Sequence, residues 1–315
     1  MGRWNEAVRW DRTLPVKVCG RCDFVSILPP VLKSHRRLVK VEEARLYYET
    51  VGSGPLILCV HGGNGSGDIW KGLAEGLKGQ YKVVYYDRRG FSRSILTGEQ
   101  DYEHRLEIDA DDARKLIEHL ADNGDPKATV IGNSSGAIVS LALLTRHPSV
   151  IKNLIPHEPP ALALLPDREE LFARQQGLYE IYRSGGVIPA MKDFFDFIKY
   201  GEEGEMRLSG LKKASDPLLL YNIMYWFERE ILPYPMHEWD VALIEKQKHL
   251  LILANGELSH PEALQFRANK VLAEKLDLKL TMFPGAHTGF ASHPEEFASV
   301  LLRMVAEHDS LAKQC

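Results

Sequence analysis

Apolar residues along this chain gather into short continuous runs, and longer stretches of helical spacing separate those runs. Leu56–Val60 is the clearest run. No polar residue interrupts it, which predicts a strand covered on both faces. Lys82–Tyr86, Ala128–Gly132, Ile151–Pro156, Leu250–Ala254 and Leu278–Phe283 read as further strands, and Leu38–Val41 with Arg45–Thr50 reads as an opening hairpin. Between strands the period lengthens. Glu103–Leu120 sets Leu106, Ala110, Ala113, Ile117 and Leu120 on one face of a long helix, with acidic residues on the other. Ile69–Leu77, Ala137–Thr145, Pro261–Leu276 and Pro294–Glu307 carry similar patterns, and Ser292 with Glu295 predicts a capping box for the last of them. Strand–helix alternation of this kind predicts the α/β class, a mostly parallel central sheet flanked by helices.

Two stretches break the alternation. Residues 1–37 show neither period and contain Leu28-Pro29-Pro30, so they read as an N-terminal extension. Residues 160–240 hold no apolar strand but are helical in pattern and aromatic: Phe194, Phe195, Phe197, Tyr221, Tyr225, Trp226 and Phe227. About eighty residues between two core strands is too long for a loop, which predicts a helical cap over a core of 38–159 and 241–315. Most of these aromatics are expected to pack the cap. Tyr225 and Trp226 are the candidates to meet a bulky apolar substrate.

Composition narrows the partners. Of 315 residues, 44% are hydrophobic and 26% charged, which excludes a disordered or fibrous chain. Lys and Arg number 39 against 43 Asp and Glu, and with no long basic run a nucleic-acid partner is not expected. No apolar run is long enough to span a bilayer, and the N-terminus has no apolar signal-like segment, so a soluble cytoplasmic chain is expected. Cys19-Gly20-Arg21-Cys22 lacks the second ligand pair of a zinc site and reads as inert thiols, while Cys59 reads as core packing.

The strongest chemical signal is Gly132-Asn133-Ser134-Ser135-Gly136, between an apolar strand and an apolar helix. That is the setting of a nucleophile elbow, with Ser134 in the tight turn and the Ser135 N–H at the helix N-terminus facing a developing oxyanion. A serine hydroxyl needs a base. His287, in the loop after the last strand, fits best. His61, in Val60-His61-Gly62-Gly63, better suits a second oxyanion element built from backbone N–H groups. The carboxylate that orients the base has two candidates. Glu257 follows the strand after the cap but is offset from Ser259, where an aspartate is expected. Glu158, in Pro156-His157-Glu158-Pro159-Pro160, ends the preceding strand. Asp87–Ser94 is expected to tie its loop to neighbouring strands.

The order HGGN, YDRRGFSRS, GNSSG, HEPP and PGAHTGFASHP resembles the α/β-hydrolases over roughly residues 38–310, and among them the zearalenone lactonase-like group and related bacterial hydrolases. The resemblance implies the α/β-hydrolase fold with a helical cap. It implies Ser134 as nucleophile, Glu158 as acid, His287 as base, oxyanion donors at Ser135 and at Gly62 or Gly63, and a substrate contact at Trp226. The expected activity is hydrolysis of an ester or lactone of an apolar small molecule, without cofactor or metal. Neither a membrane nor a nucleic acid is an expected partner, and a homodimer is left open. Carbon–carbon bond hydrolysis, perhydrolysis and ligand binding without turnover are the alternatives.

Overall fold

The structure, a computed structural model, describes residues 37–63, 65–121, 126–213 and 216–312. The N-terminal extension with Cys19 and Cys22, and Cys315, lie outside the described residues. Among the described residues nine strands form one sheet: β1 (Leu38–Val41), β2 (Ala44–Val51), β3 (Leu56–Val60), β4 (Lys82–Tyr86), β5 (Ile95–Leu96), β6 (Ala128–Asn133), β7 (Ile151–His157), β8 (Leu253–Gly256) and β9 (Leu280–Phe283). Their order is β1-β2-β4-β3-β6-β7-β8-β9, with the two-residue β5 pairing β2. The β1–β2 and β2–β4 pairs are antiparallel, and from β4 through β9 every neighbour is parallel.

The continuous apolar runs form strands because both sheet faces are covered. Along β3, Leu56, Leu58 and Val60 enter one core while Ile57 and Cys59 enter another, the period of two a pleated strand imposes. The first core is covered by α2 (Arg105–Leu120), α3 (Ser135–Arg146) and α9 (Leu264–Leu276), the second by α1 (Lys71–Leu77) and α11 (Pro294–Ala312). Cys59 is fully buried there, and burial pushes its thiol up, consistent with an inert packing residue.

Between β7 and β8 lie α4 (Arg168–Gly185), α5 (Val187–Phe197), α6 (Gly201–Lys213) and α7 (Pro217–Arg229), then a short α8 (Val241–Lys246). The first four bury their apolar faces in a third core that reaches Phe91, Leu162 and Leu264. Among the described residues no helix is long and apolar enough to cross a membrane.

Two local expectations are corrected. The strand at Leu250–Ala254 begins later, at Leu253, because Lys248–Leu250 forms a 3-10 turn and Leu251 makes only an isolated bridge to Leu154. The capping box at Ser292 is not formed. Ser292 closes the short α10 (Gly289–Ser292), and its hydroxyl lies 2.9 Å from His293 Nδ1 instead of capping α11.

Candidate active site

The sheet order turns back at β3, whose neighbours are β4 and β6, and crevices at such switch points open beyond the carboxyl ends of the strands. The candidate residues stand there. His61 follows β3, Ser134 follows β6, Glu158 follows β7 and His287 follows β9.

Strand register explains the pairing of Ser134 with Glu158. Asn133 lies opposite His157, so the next residue of each strand is level with the other. The Ser134 N–H donates to the His157 carbonyl at 3.1 Å, and the Glu158 N–H donates to the Ala254 carbonyl at 3.1 Å. Both side chains leave the sheet at a sharp turn with positive φ, 56° at Ser134 and 49° at Glu158. Such non-glycine conformations cost of order 1 kcal/mol or more and need surroundings that hold them. At Ser134 the support is close strand–helix contact: a Cβ on Gly136 would sit 2.3 Å from the Val60 carbonyl oxygen.

His287 Nδ1–H donates to Glu158 Oε2 at 2.7 Å, and Glu158 Oε1 accepts the Gly256 N–H at 2.9 Å. Glu158 is fully buried. Burial raises its carboxyl pKa, but the hydrogen bond and charge of His287 and the charge of His157 outweigh burial and bring it down to about 2. Glu257 is exposed, its backbone N–H is spent on the Phe283 carbonyl, and among the described residues it makes no hydrogen bond to His287, whose Nδ1 is taken by Glu158. Ser134 and His287 line the same two chambers, with no hydrogen bond between them among the described residues. Nucleophile–base pairs without substrate are often longer than hydrogen-bond reach.

The Ser135 N–H opens α3 and has no intrahelical acceptor. Gly62 and Gly63 line one chamber and Ser135 the other, with Ser134 in the wall of both. Gly63 admits no side chain, since a Cβ there would lie 1.9 Å from Trp226 Cδ1. His61 is no rival base. It is fully buried, its Nδ1–H donates to the Gly62 carbonyl at 2.6 Å, and its Nε2 accepts the Arg88 N–H at 2.9 Å. Burial and the Arg88 charge push its pKa down to about 3.

Trp226 lines both chambers and packs edge-on against Phe194 with ring centroids 4.8 Å apart. Phe194, Phe195 and Phe197 also line them, so more of these aromatics face the chambers than the sequence implied. Tyr225 does not. Its hydroxyl accepts from Arg105 at 2.9 Å and its ring packs on Gly90 and Phe91, one helical step away from Trp226.

The Asp87–Ser94 loop is structural, but its ties run mainly to helices instead of strands. Arg88 donates to Asp109 of α2 at 2.7 Å and, in a two-pronged contact, to Glu230 just after α7 at 2.9 and 2.8 Å. Arg89 grips Asp112 of α2, and Asp87 holds Arg93 and the Gly67 N–H. Glu230, Asn133 and the pair in which Arg207 Nη2 donates to Thr288 Oγ1 at 2.8 Å in the wall of one chamber have no counterpart among the sequence candidates. The only available signal was Asn133, lying inside the GNSSG motif.

A sequence model described as alpha/beta hydrolase fold matches residues 55–250. The chain is also 35% identical over 281 residues to the uncharacterized hydrolase YraK of Bacillus subtilis (strain 168), spanning 88% of this chain and 96% of that protein. The chain belongs to the alpha/beta hydrolase fold family. Within this family it is 26% identical over 268 residues to the zearalenone hydrolase of Bionectria ochroleuca, spanning 83% of this chain and 94% of that one. Among solved structures, a thermophilic esterase from Thermogutta terrifontis shares the alpha/beta hydrolase fold with a TM-score of 0.63 at 19% identity, over 84% of this chain and 94% of that chain.

Proposed function

We propose that this alpha/beta hydrolase is a serine hydrolase that cleaves an ester or lactone bond of an apolar small molecule. The observation that carries the reading is the buried 2.7 Å bond from His287 Nδ1–H to Glu158, on an imidazole that shares its chambers with Ser134. With Nδ1 holding its proton toward Glu158, Nε2 is the ring atom left to accept one. His287 Nε2 takes the Ser134 proton as Oγ attacks the carbonyl carbon, and the Ser135 N–H with that of Gly62 or Gly63 holds the oxyanion. The imidazolium then returns the proton to the leaving alkoxide. Water, deprotonated by the same nitrogen, attacks the acyl-enzyme and releases the acid.

The apolar walls around Trp226, Phe194 and Ile198 support a substrate with a sizeable hydrocarbon body. The helices α4–α7 serve as the cap that supplies those walls. Kinship with a zearalenone hydrolase supports the same substrate class.

The test is rapid-mixing kinetics on a nitrophenyl ester of an apolar acid. The expected result is a burst approaching one nitrophenol per chain, followed by slower turnover, with kcat/KM rising with acyl size by up to about fourfold per added methylene, the equivalent of ~0.8 kcal/mol. Absence of ester and lactone turnover, together with turnover of a diketone, would overturn the reading.

A further inference from the structure

We infer that the chamber lined by Gln265 receives a substrate segment ending in a neutral hydroxyl, which donates a hydrogen bond to the Gln265 side-chain oxygen. The inference rests on the serine-hydrolase reading and specifies its substrate class. Gln265 stands in the first turn of α9 and is 3% exposed. Its Nε2 donates to the Ile198 carbonyl at 3.0 Å. That bond fixes the amide orientation, because the flipped rotamer would set two oxygens against each other. Oε1 is therefore an acceptor, and it is buried with no hydrogen-bond partner among the described residues. Buried side-chain acceptors are rarely left in that state, since each unmade bond carries the desolvation penalty of the group.

A second amide is oriented in the same way. Gln175 of α4 lines the same chamber, is 4% exposed, and donates its Nε2 to the Ile231 carbonyl, which fixes its oxygen as an acceptor too. The carboxylate of Glu230, also in the wall, is taken by Arg88 and Arg105. The remaining walls include Phe197, Ile231, Leu264 and Trp226. Away from Ser134, Ser135 and His287 the chamber thus offers apolar surface and acceptor oxygens. Two acceptors repel a carboxylate, whereas an alcohol or phenol brings the donor that Gln265 Oε1 lacks. A plain hydrocarbon entering the chamber leaves Oε1 unpaired, a penalty equivalent to about tenfold to a hundredfold in affinity. The alternative is that Gln265 only anchors the Ile198 carbonyl between the two chambers, with solvent satisfying Oε1.

Two matched ester pairs separate these cases: methyl phenylbutanoate with its para-hydroxy counterpart, and phenylbutyl acetate with its para-hydroxy counterpart. The pairs place the hydroxyl on the acyl and on the alcohol side respectively. Calorimetric binding is measured on the Ser134→Ala protein and kcat/KM on the wild type. The expected result is at least tenfold tighter binding of the hydroxylated member of one pair, the same preference in kcat/KM, and loss or reversal of that preference in Gln265→Leu and Gln265→Met. Ratios within twofold in both pairs, no measurable binding of either hydroxylated ester, or a preference that survives both substitutions would overturn the inference. The wild-type ratio decides even where a variant fails to fold. A binding preference without turnover of any ester and without fluorophosphonate labelling would sink the hydrolase reading while leaving the chamber's assignment standing.

Discussion

The side-chain amide of Asn133 donates a 2.8 Å hydrogen bond to the backbone carbonyl of His287. The residue immediately before the proposed nucleophile thus grips the backbone of the proposed base. Its other N–H reaches His157 Nδ1 at 3.3 Å, so one buried amide joins the ends of β6 and β7 to the loop after β9. Asn133→Ala is expected to cost about 1–3 kcal/mol in urea unfolding, because two buried acceptors lose their donor. It is also expected to lower kcat by tenfold to a hundredfold, about what a 1 Å misplacement of a reacting group costs, with KM less affected. A stable variant with wild-type kcat would show that the loop holds His287 unaided.

The Glu158 and Glu257 carboxylates occupy opposite environments, one fully buried on His287 and the other exposed. Replacing Glu158 by Gln keeps the shape but favours the wrong imidazole tautomer, and kcat is expected to fall by about 10³–10⁴. Glu257→Gln is expected to cost less than about tenfold, given the exposure of that side chain. Saturating turnover near neutral pH measures both, and the reverse order would move the acid to the later strand.

Much of this arrangement was legible because the two strongest sequence signals are local. The uninterrupted run Leu56–Val60 matches its strand residue for residue, since burial on both faces leaves no polar position to blur its ends. GNSSG carried its own strand–turn–helix context. Register was not legible. Nothing in the sequence showed that Asn133 faces His157, which is what brings Ser134 level with Glu158. Adjacent Tyr225 and Trp226 diverge by about 100° on a helix, and only tertiary packing chose Trp226 for the chambers. Glu230 and Arg88 are 142 positions apart, and Gln265 belongs to no motif, so their placement had no local signal at all.

Glu230 sits at the end of α7 with its carboxylate between Arg88 and Arg105, all three side chains at 2% exposure or less. Glu230→Gln leaves buried positive charge undercompensated and is expected to destabilise by about 3 kcal/mol or more in chemical unfolding. Glu238→Gln, which breaks the exposed pair with Arg168, is expected to cost less than about 1 kcal/mol. Equal small losses would mean that the inserted helices are held by apolar packing alone.

His61 and His157 are fully buried, with pKa values pushed down by burial to about 3 and about 4. The Arg88 charge adds to the effect at His61. At His157 the His287 charge pushes the same way, against the opposing pull of Glu158. Between the ordinary histidine value and about pH 4 the unfolded chain takes up protons that the folded chain refuses. Stability should therefore fall as pH drops through that window, by about 1.4 kcal/mol per pH unit for each histidine. His157→Gln is expected to remove one histidine's share of the slope in urea unfolding measured from pH 7 to pH 4. Parallel curves for wild type and variant would contradict this.

The central claim is that Ser134 is the nucleophile, and intact-mass analysis after treatment with a fluorophosphonate tests it most directly. The expected result is one adduct per chain, mapped by peptide sequencing to the segment holding Ser134, with no adduct on Ser134→Ala and a kcat for that variant lower by about 10⁴-fold or more. An adduct on another residue, equal labelling of Ser134→Ala, or activity of that variant within tenfold of wild type would contradict it.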